Sequence, residues 1–420
     1  MLARLTMLIV GFLFAMPGWM LAAEPAALSA DDLVNMAMTA NPRVRSAEAQ
    51  YQAALHQIDP AYAPQDPQLT FQTSQSPNGL VNAQTRSVGI SESFQFPGKA
   101  WLQGDEAHRA AEIARLAYLA AARDARAQTL TAYYQTQLDS AAISIGAENT
   151  ASIGQVLQVV KVAYSASQAA QSDLIGAELS LAQSSQSVRG SQVAEANDEA
   201  ALNQALGRDP ESPLGLAGGL ELEPLRLSLA DIKEKALAIR QEILEAALTE
   251  KNAKTAVRLA WMEALPDFSV SYFRNSYPSG SINAAPGVTH DYSASLGFNV
   301  PVFFWFKQKE DVQAASHLLE AARQNRRSVE LQTLTSVVQL YRSTNLAYQT
   351  AQLNKDLLIP LASQDFRVAL VAYQSKKVDF LTLSNALQGI YNARINYLTA
   401  ANQFLAGKVA LEQAIGAPLK

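Results

Sequence analysis

The sequence predicts a mainly α-helical chain, written as two copies of one unit, whose four β-strands suit a membrane β-barrel. Three observations carry this reading: segments recur in the same order in both halves, very long stretches lack proline, and between them lie short runs that alternate apolar with small polar residues.

The chain opens on Arg4, the apolar run LTMLIVGFLFAM and then MLAA, which reads as an export signal over residues 1–23. Leu21 in the third position before the cut also fits an uncleaved anchor helix. No later stretch of about 20 consecutive apolar residues follows, so no second membrane helix is expected.

The copies are expected to span 24–216 and 217–420. LSADDLVNMA from Leu28 matches LSLADIKEKA from Leu227, and in the same register Pro67 falls on Pro266. VGISESFQFPGK from Val88 aligns with LGFNVPVFFWFK from Leu296, placing Gly89 on Gly297 and Lys99 on Lys307. AYSASQAAQSDLIGA from Ala163 is echoed by AYQSKKVDFLTLSNA from Ala372, and ALNQALG ending at Gly207 by ALEQAIG ending at Gly416.

Helices come next. No proline occurs between Pro97 and Pro210, and after Pro301 only Pro360 and Pro418. Proline breaks helix interiors, so these Ala-, Leu- and Gln-rich gaps predict long helices, from Gly98 to Tyr164 and from about Phe306 to Tyr373. At 1.5 Å per residue each reaches about 100 Å. The returns, Asp173 to Leu206 and Asp379 to Ile415, are about half as long. Upper pieces, Ser29 to about Asp59 and Ser228 to Met262, supply the missing length if they stack end to end with the returns. The polar turns are expected at about 165–172 and 374–379, and the Gly/Pro-rich segment from Gly207 forms small structure midway along.

The strands are expected at about 67–75, 86–97, 266–276 and 290–303, paired as two hairpins. From Tyr292 to Val302 one face is apolar and the other small and polar, and aromatics crowd the strand ends. Glu92 alone interrupts the apolar pattern of its strand. A membrane sheet must close, and the smallest barrels have about eight strands, so four per chain require an oligomer. The same alternation describes one face of a soluble sheet, which would make the chain a periplasmic helical scaffold.

Composition and motifs exclude much else. A net charge of -5 with 17% charged residues carries no footprint for nucleic acid, while 49% hydrophobic content excludes wholesale disorder. The absence of cysteine removes thiol chemistry, disulfides and Cys-type zinc sites. His56, His108, His290 and His317 are scattered, FPGK lacks phosphate-loop spacing, and no GxSxG occurs, so no catalytic residue, cofactor or metal ligand is expected.

In its duplicated plan, its two turn patterns and its repeat ends, the chain resembles the TolC family of bacterial outer-membrane efflux proteins. FPGK after the strand and KVDFLTL at Lys377 resemble the heavy-metal-exporting, CzcC-like branch. The resemblance implies a homotrimer with one barrel of twelve strands and a periplasmic tunnel of twelve helices. It implies an exit duct in the outer membrane, served by a periplasmic membrane-fusion adaptor and an inner-membrane RND-type pump, with heavy-metal cations as cargo. Ducts for drug efflux or type I protein secretion share the pattern. It places adaptor contacts at Tyr164, Ala166, Ser167, Tyr373, Ser375, Lys376, Lys377 and Val378. Many family members carry glycine where Ser167 and Lys376 stand here. It places the periplasmic aperture at Asp173, Asp379, Thr382 and Asn385, where Asp173 and Asp379 also suit N-caps of the return helices.

Overall fold

The computed structural model describes residues 28–419 apart from 76–83, 217–218, 220–221, 278–284 and 304. The export segment expected at 1–23 and the tips of both strand loops lie outside the described residues.

Three helices open the chain: α1 (Ala30–Ala40), α2 (Pro42–His56) and α3 (Ile58–Tyr62). Strands β1 (Gln68–Gln75) and β2 (Gln84–Phe94) lead into α4 (Lys99–Ser165), which is 67 residues long, and its return α5 (Gln171–Ala205). Then come α6 (Leu229–Ile239), α7 (Gln241–Met262), β3 (Phe268–Ser276), β4 (His290–Phe298), α8 (Gln308–Leu353), α9 (Ile359–Gln374) and α10 (Phe380–Ile415). The upper helices and the short return both pack along the long helix: α1, α2, α3 and α5 on α4, and α6, α7 and α10 on α8.

Start signals are matched at positions that the sequence pairs. Ser29 and Ser228 each close a capping box, with Asp32 and Asp231 reaching back to the cap backbone. Each upper piece, expected as one helix, is instead interrupted, at Asn41 in the first half and at Arg240 in the second. Asn41, buried, takes the Arg43 N–H on Oδ1 at 2.8 Å and donates from Nδ2 to the Ala205 carbonyl at 2.7 Å. Arg240 Nη1 likewise donates to the Ala414 carbonyl at 2.8 Å. Each break therefore satisfies a carbonyl at the end of a return helix, which would otherwise lack a partner. Gly207 and Gly416 end those returns with φ of 69° and 93°, as a helix C-terminal glycine does.

The second long helix carries a difference. Between α8 and α9 one wide π-turn, Asn354–Leu358, precedes Pro360. A proline has no N–H to donate to the turn before it and its ring crowds that turn, so local widening admits it without ending the helix.

Buried residues lie at helix seams. Near the turns, Ile153, Val156, Val160, Ala177, Leu383 and Leu387 form one cluster; midway, Leu33, Tyr133, Leu202 and Leu206 form another, joined by Leu214 and Leu216 of the linker. Leu28 and Leu216 make an isolated parallel bridge there, which holds the first part of the linker at the midway level. The halves are tied by Arg126 to Glu412 and Arg394 to Glu148, both at 2.6 Å.

The four strands form one antiparallel sheet in the order β1-β2-β3-β4, so β2 and β3 pair in addition to the two expected hairpins. β4 ends at Phe298, short of the expected 303.

Candidate functional site

Two regions have the chemistry that the sequence singled out: the sheet, and the turns at the far end of the helices. Residues directly opposite in an antiparallel sheet share a face, so the register sorts the side chains. One face carries Leu69, Ile90, Tyr272 and Ala294 in one row and Phe94, Phe268 and Phe298 in another. Between those rows lie Val270 and Leu296 with Glu92, and beyond the first lie Phe71, Val88 and Tyr292 with Arg274. Phe71 is 76% and Leu69 68% exposed, and Val88, Ile90, Val270, Tyr272, Leu296 and Phe298 are exposed too. An unpartnered apolar face of this extent marks an interaction surface.

The opposite face is small and polar: Thr70, Gln72, Ser87, Gly89, Ser91, Ser269, Ser271, Ser293 and Ser295. Its one large residue, Phe273, lies over Gly89, where any Cβ would overlap the ring. At the loop end Ser87 donates to Asn275 Oδ1 (2.7 Å), Asn275 Nδ2 to Asp291 Oδ1 (2.8 Å) and Tyr277 to Asp291 Oδ2 (2.9 Å). Asp291 is the carboxylate of that face, and no Lys or Arg lies on it among the described strand residues.

The sheet meets the helices at a joint. Gly98 adopts φ of 103° and admits Lys99, whose side chain is 2% exposed. Lys99 Nζ lies 2.9 Å from Asp267 Oδ1 and 3.5 Å from Glu263, and Asp267 Oδ1 also accepts the Phe96 N–H at 2.8 Å. Around this joint Trp101, Trp261, Phe303, Trp305 and Phe306 are exposed.

At the other end, α4 and α9 finish alike. The N–H of Ser167 donates to the Tyr164 carbonyl (2.9 Å) and that of Gln168 to Ala163 (2.8 Å). The Lys376 N–H donates to Tyr373 (2.9 Å) and the Lys377 N–H to Ala372 (2.8 Å). Both are Schellman closures, and Ser167 and Lys376 take the left-handed position with φ of 58° and 59°. Neither position is glycine in this chain. Tyr164, Ala166, Ser167, Ser375, Lys376 and Lys377 are exposed, while Tyr373 and Val378 are half-buried.

The expected aperture residues differ in their roles. Asp379 caps α10, accepting the Thr382 N–H at 2.9 Å and its hydroxyl at 2.6 Å, and these bonds hold its carboxyl below the usual range. Asp173 does not cap α5: the cap position is Ala170, and Asp173 sits in the first helical turn. It faces a cleft of about 390 Å³ between the two turns, together with Val159, Ala163, Tyr373, Lys376 and Asp379. Burial raises the Tyr373 phenol, and the Asp173 charge raises it further. Thr382 and Asn385 are exposed on α10. Among the described residues no group of three or more His, Asp or Glu is arranged to hold a metal ion, and no helix is long and apolar enough to cross a membrane.

Sequence reasoning missed the Lys99 to Asp267 pair, since FPGK was weighed as a phosphate loop and as a family motif, neither of which points to a distant carboxylate. It missed Asp291 as well, whose place on the small polar face follows from the alternation from Tyr292 extended back by one residue.

A four-stranded sheet with one apolar face thus stands on paired helices of about 100 Å. Residues 233–417 match the family model described as outer membrane efflux protein. The match covers most of the second half of the chain. The structure is similar to that of the outer-membrane channel OprN, with a TM-score of 0.80 at 18% identity over 93% of this chain and 90% of that one. CusC gives 0.80 at 17% over 96% and 95%, and the open MtrE channel of Neisseria gonorrhoeae 0.78 at 16% over 93% and 89%. At these identities the likeness is one of fold. Protein CyaE of Bordetella pertussis is 26% identical over 317 residues, 69% of this chain and 65% of its own length, just under two thirds.

Proposed function

We propose that the chain is the outer-membrane exit duct of a tripartite efflux system, working as a homotrimer with a periplasmic adaptor and an inner-membrane RND-type pump. The observation that carries this is the two-faced sheet: its apolar face suits lipid, its small polar face suits a water-filled lumen, and its open edges require further strands. Three copies supply a barrel of twelve strands and a tunnel of twelve helices. The exposed aromatics at the joint suit the periplasmic membrane interface, and Arg86, Arg274 and His290 at the loop end suit anionic headgroups.

Heavy-metal cations are the proposed cargo. FPGK and KVDFLTL support it, as does a polar strand face holding Asp291 and, among the described strand residues, no basic one. The adaptor docks on the turns, through Tyr164, Ala166, Ser167, Tyr373, Ser375, Lys376, Lys377 and Val378. The aperture, near Asp173, Asp379, Thr382 and Asn385, opens as the helices splay and the cleft shared by Tyr373 and Asp173 widens.

The test is accumulation of zinc or cobalt in cells that lack their own duct and express this chain with its pump and adaptor. Lower metal content with the chain than without it supports the reading. Unchanged metal with falling dye content makes it a drug duct, and no change in either counts against efflux.

A further inference from the structure

The sheet ends in two open edges, β1 and β4. We infer that β4 of one copy pairs with β1 of the next in a fixed register, with Asn299 opposite Gln72, Val300 opposite Phe71 and Val302 opposite Leu69. This rests on the oligomeric reading above and goes beyond it by naming the contacts.

The argument starts from the residue pairing that the sequence supplies. Pro67 on Pro266 places β1 on β3, and Gly89 on Gly297 places β2 on β4. The observed ladders obey it: Gln68 is opposite Ser91 in β1/β2, and at the paired positions the Asp267 carbonyl accepts the Asn299 N–H at 2.9 Å. Leu69 opposite Ile90 is likewise matched by Phe268 opposite Phe298. The remaining ladder, β2/β3, is then the internal template for a β4/β1 seam between copies. Ser91 opposite Ser271 becomes Asn299 opposite Gln72, Glu92 opposite Val270 becomes Val300 opposite Phe71, and Phe94 opposite Phe268 becomes Val302 opposite Leu69.

Three independent features agree. The alternation of the sequence runs four residues past the observed end of β4, and Asn299 to Val302 are the residues the seam recruits. Val300, Val302, Leu69 and Phe71 are all 64% or more exposed, and the register sets them side by side on the apolar face. Pro301 fits as well. Successive N–H groups point to opposite edges, and that of Asn299 points to β3, so position 301 also faces β3 and its missing donor takes nothing from the open edge.

The seam differs from its template at the joint. Lys307 takes the place of Lys99, but Gln68 and Pro64 take those of Asp267 and Glu263, so the internal seam is clamped by an ion pair with an enclosed lysine and the seam between copies is not.

The chain has no cysteine, which makes thiol cross-linking clean. Asn299 and Gln72 form a non-hydrogen-bonded pair across the seam, with Cα atoms about 4.5 Å apart, within reach of a disulfide. Full-length Q72C/N299C, oxidised in detergent, is expected to give covalent species at two and three times the chain mass on non-reducing gels, reversed by reductant. S91C/S271C, its internal counterpart, is expected to close a bond without changing the mass. An oligomer of three copies that cross-links through S74C/N299C or T70C/N299C instead, or through none of the pairs, would overturn the register and leave the trimer standing. A monomer by light scattering would overturn the trimer, and the seam with it.

Discussion

Lys99 Nζ lies 2.9 Å from Asp267 Oδ1, joining the start of the longest helix to the residue before β3. Lys99 is almost fully enclosed while Asp267 is 34% exposed, so Lys99→Met leaves one carboxylate partly hydrated and is expected to cost about 1–3 kcal/mol. Urea unfolding of Lys99→Met, Asp267→Asn and the double variant checks this. A double variant that costs as much as the two single changes added together would show that the pair is not coupled.

Ser167 and Lys376 hold left-handed backbone without being glycine, a conformation that costs an L-residue roughly 1–2 kcal/mol. Ser167→Gly and Lys376→Gly are each expected to stabilise their turn by about 0.5–1 kcal/mol, because glycine loses part of the gain as backbone entropy. Slower amide exchange at Gln168 and Lys377 is the readout. Ser167→Val is expected to do the opposite.

Burial, together with the neighbouring Asp198 carboxyl and the Glu195 charge, pushes the Asp139 carboxyl up to about 7. The unfolded group loses its proton near its ordinary value of 3.8, so the folded state holds a proton that the unfolded state has released across the window between. Stability is therefore fully present below that window and falls as pH rises through it, by at most about 1.4 kcal/mol per unit. Asp139→Asn is expected to flatten the fall between pH 5 and pH 8 by about 2 kcal/mol. An unaltered slope in thermal unfolding would assign the dependence to other groups.

Gly89 lies beneath the Phe273 ring. Gly89→Val is expected to cost about 1–3 kcal/mol through forced displacement of that ring and to lower the yield of folded oligomer. Adding Phe273→Ala is expected to restore the yield, which a general loss of strand propensity would not allow.

The lysines at the second turn are exposed and form no ion pair among the described residues. Lys376→Glu with Lys377→Glu is expected to impair efflux while leaving the amount of oligomer unchanged. Normal efflux would remove this surface from the docking account.

Much of the fold was legible because its signals are local. Period-two alternation placed all four strands within a few residues, and the proline gaps placed α4 to within one residue at each end. The breaks at Asn41 and Arg240 were not legible for a physical reason: each is set by a side chain reaching a carbonyl far along the chain, Ala205 or Ala414. Arg240 has no proline beside it to announce the break. Asp173 and Asp379 read alike as caps, and only the backbone at the turns shows that one caps while the other faces the cleft. Lys99 pairs across 168 positions of sequence, which no short motif encodes.

The most direct test of the central claim is membrane fractionation of the expressed chain, followed by the mass of the detergent-solubilised species. An outer-membrane particle of three chains is the predicted result. A soluble periplasmic monomer would contradict the barrel, and with it the duct.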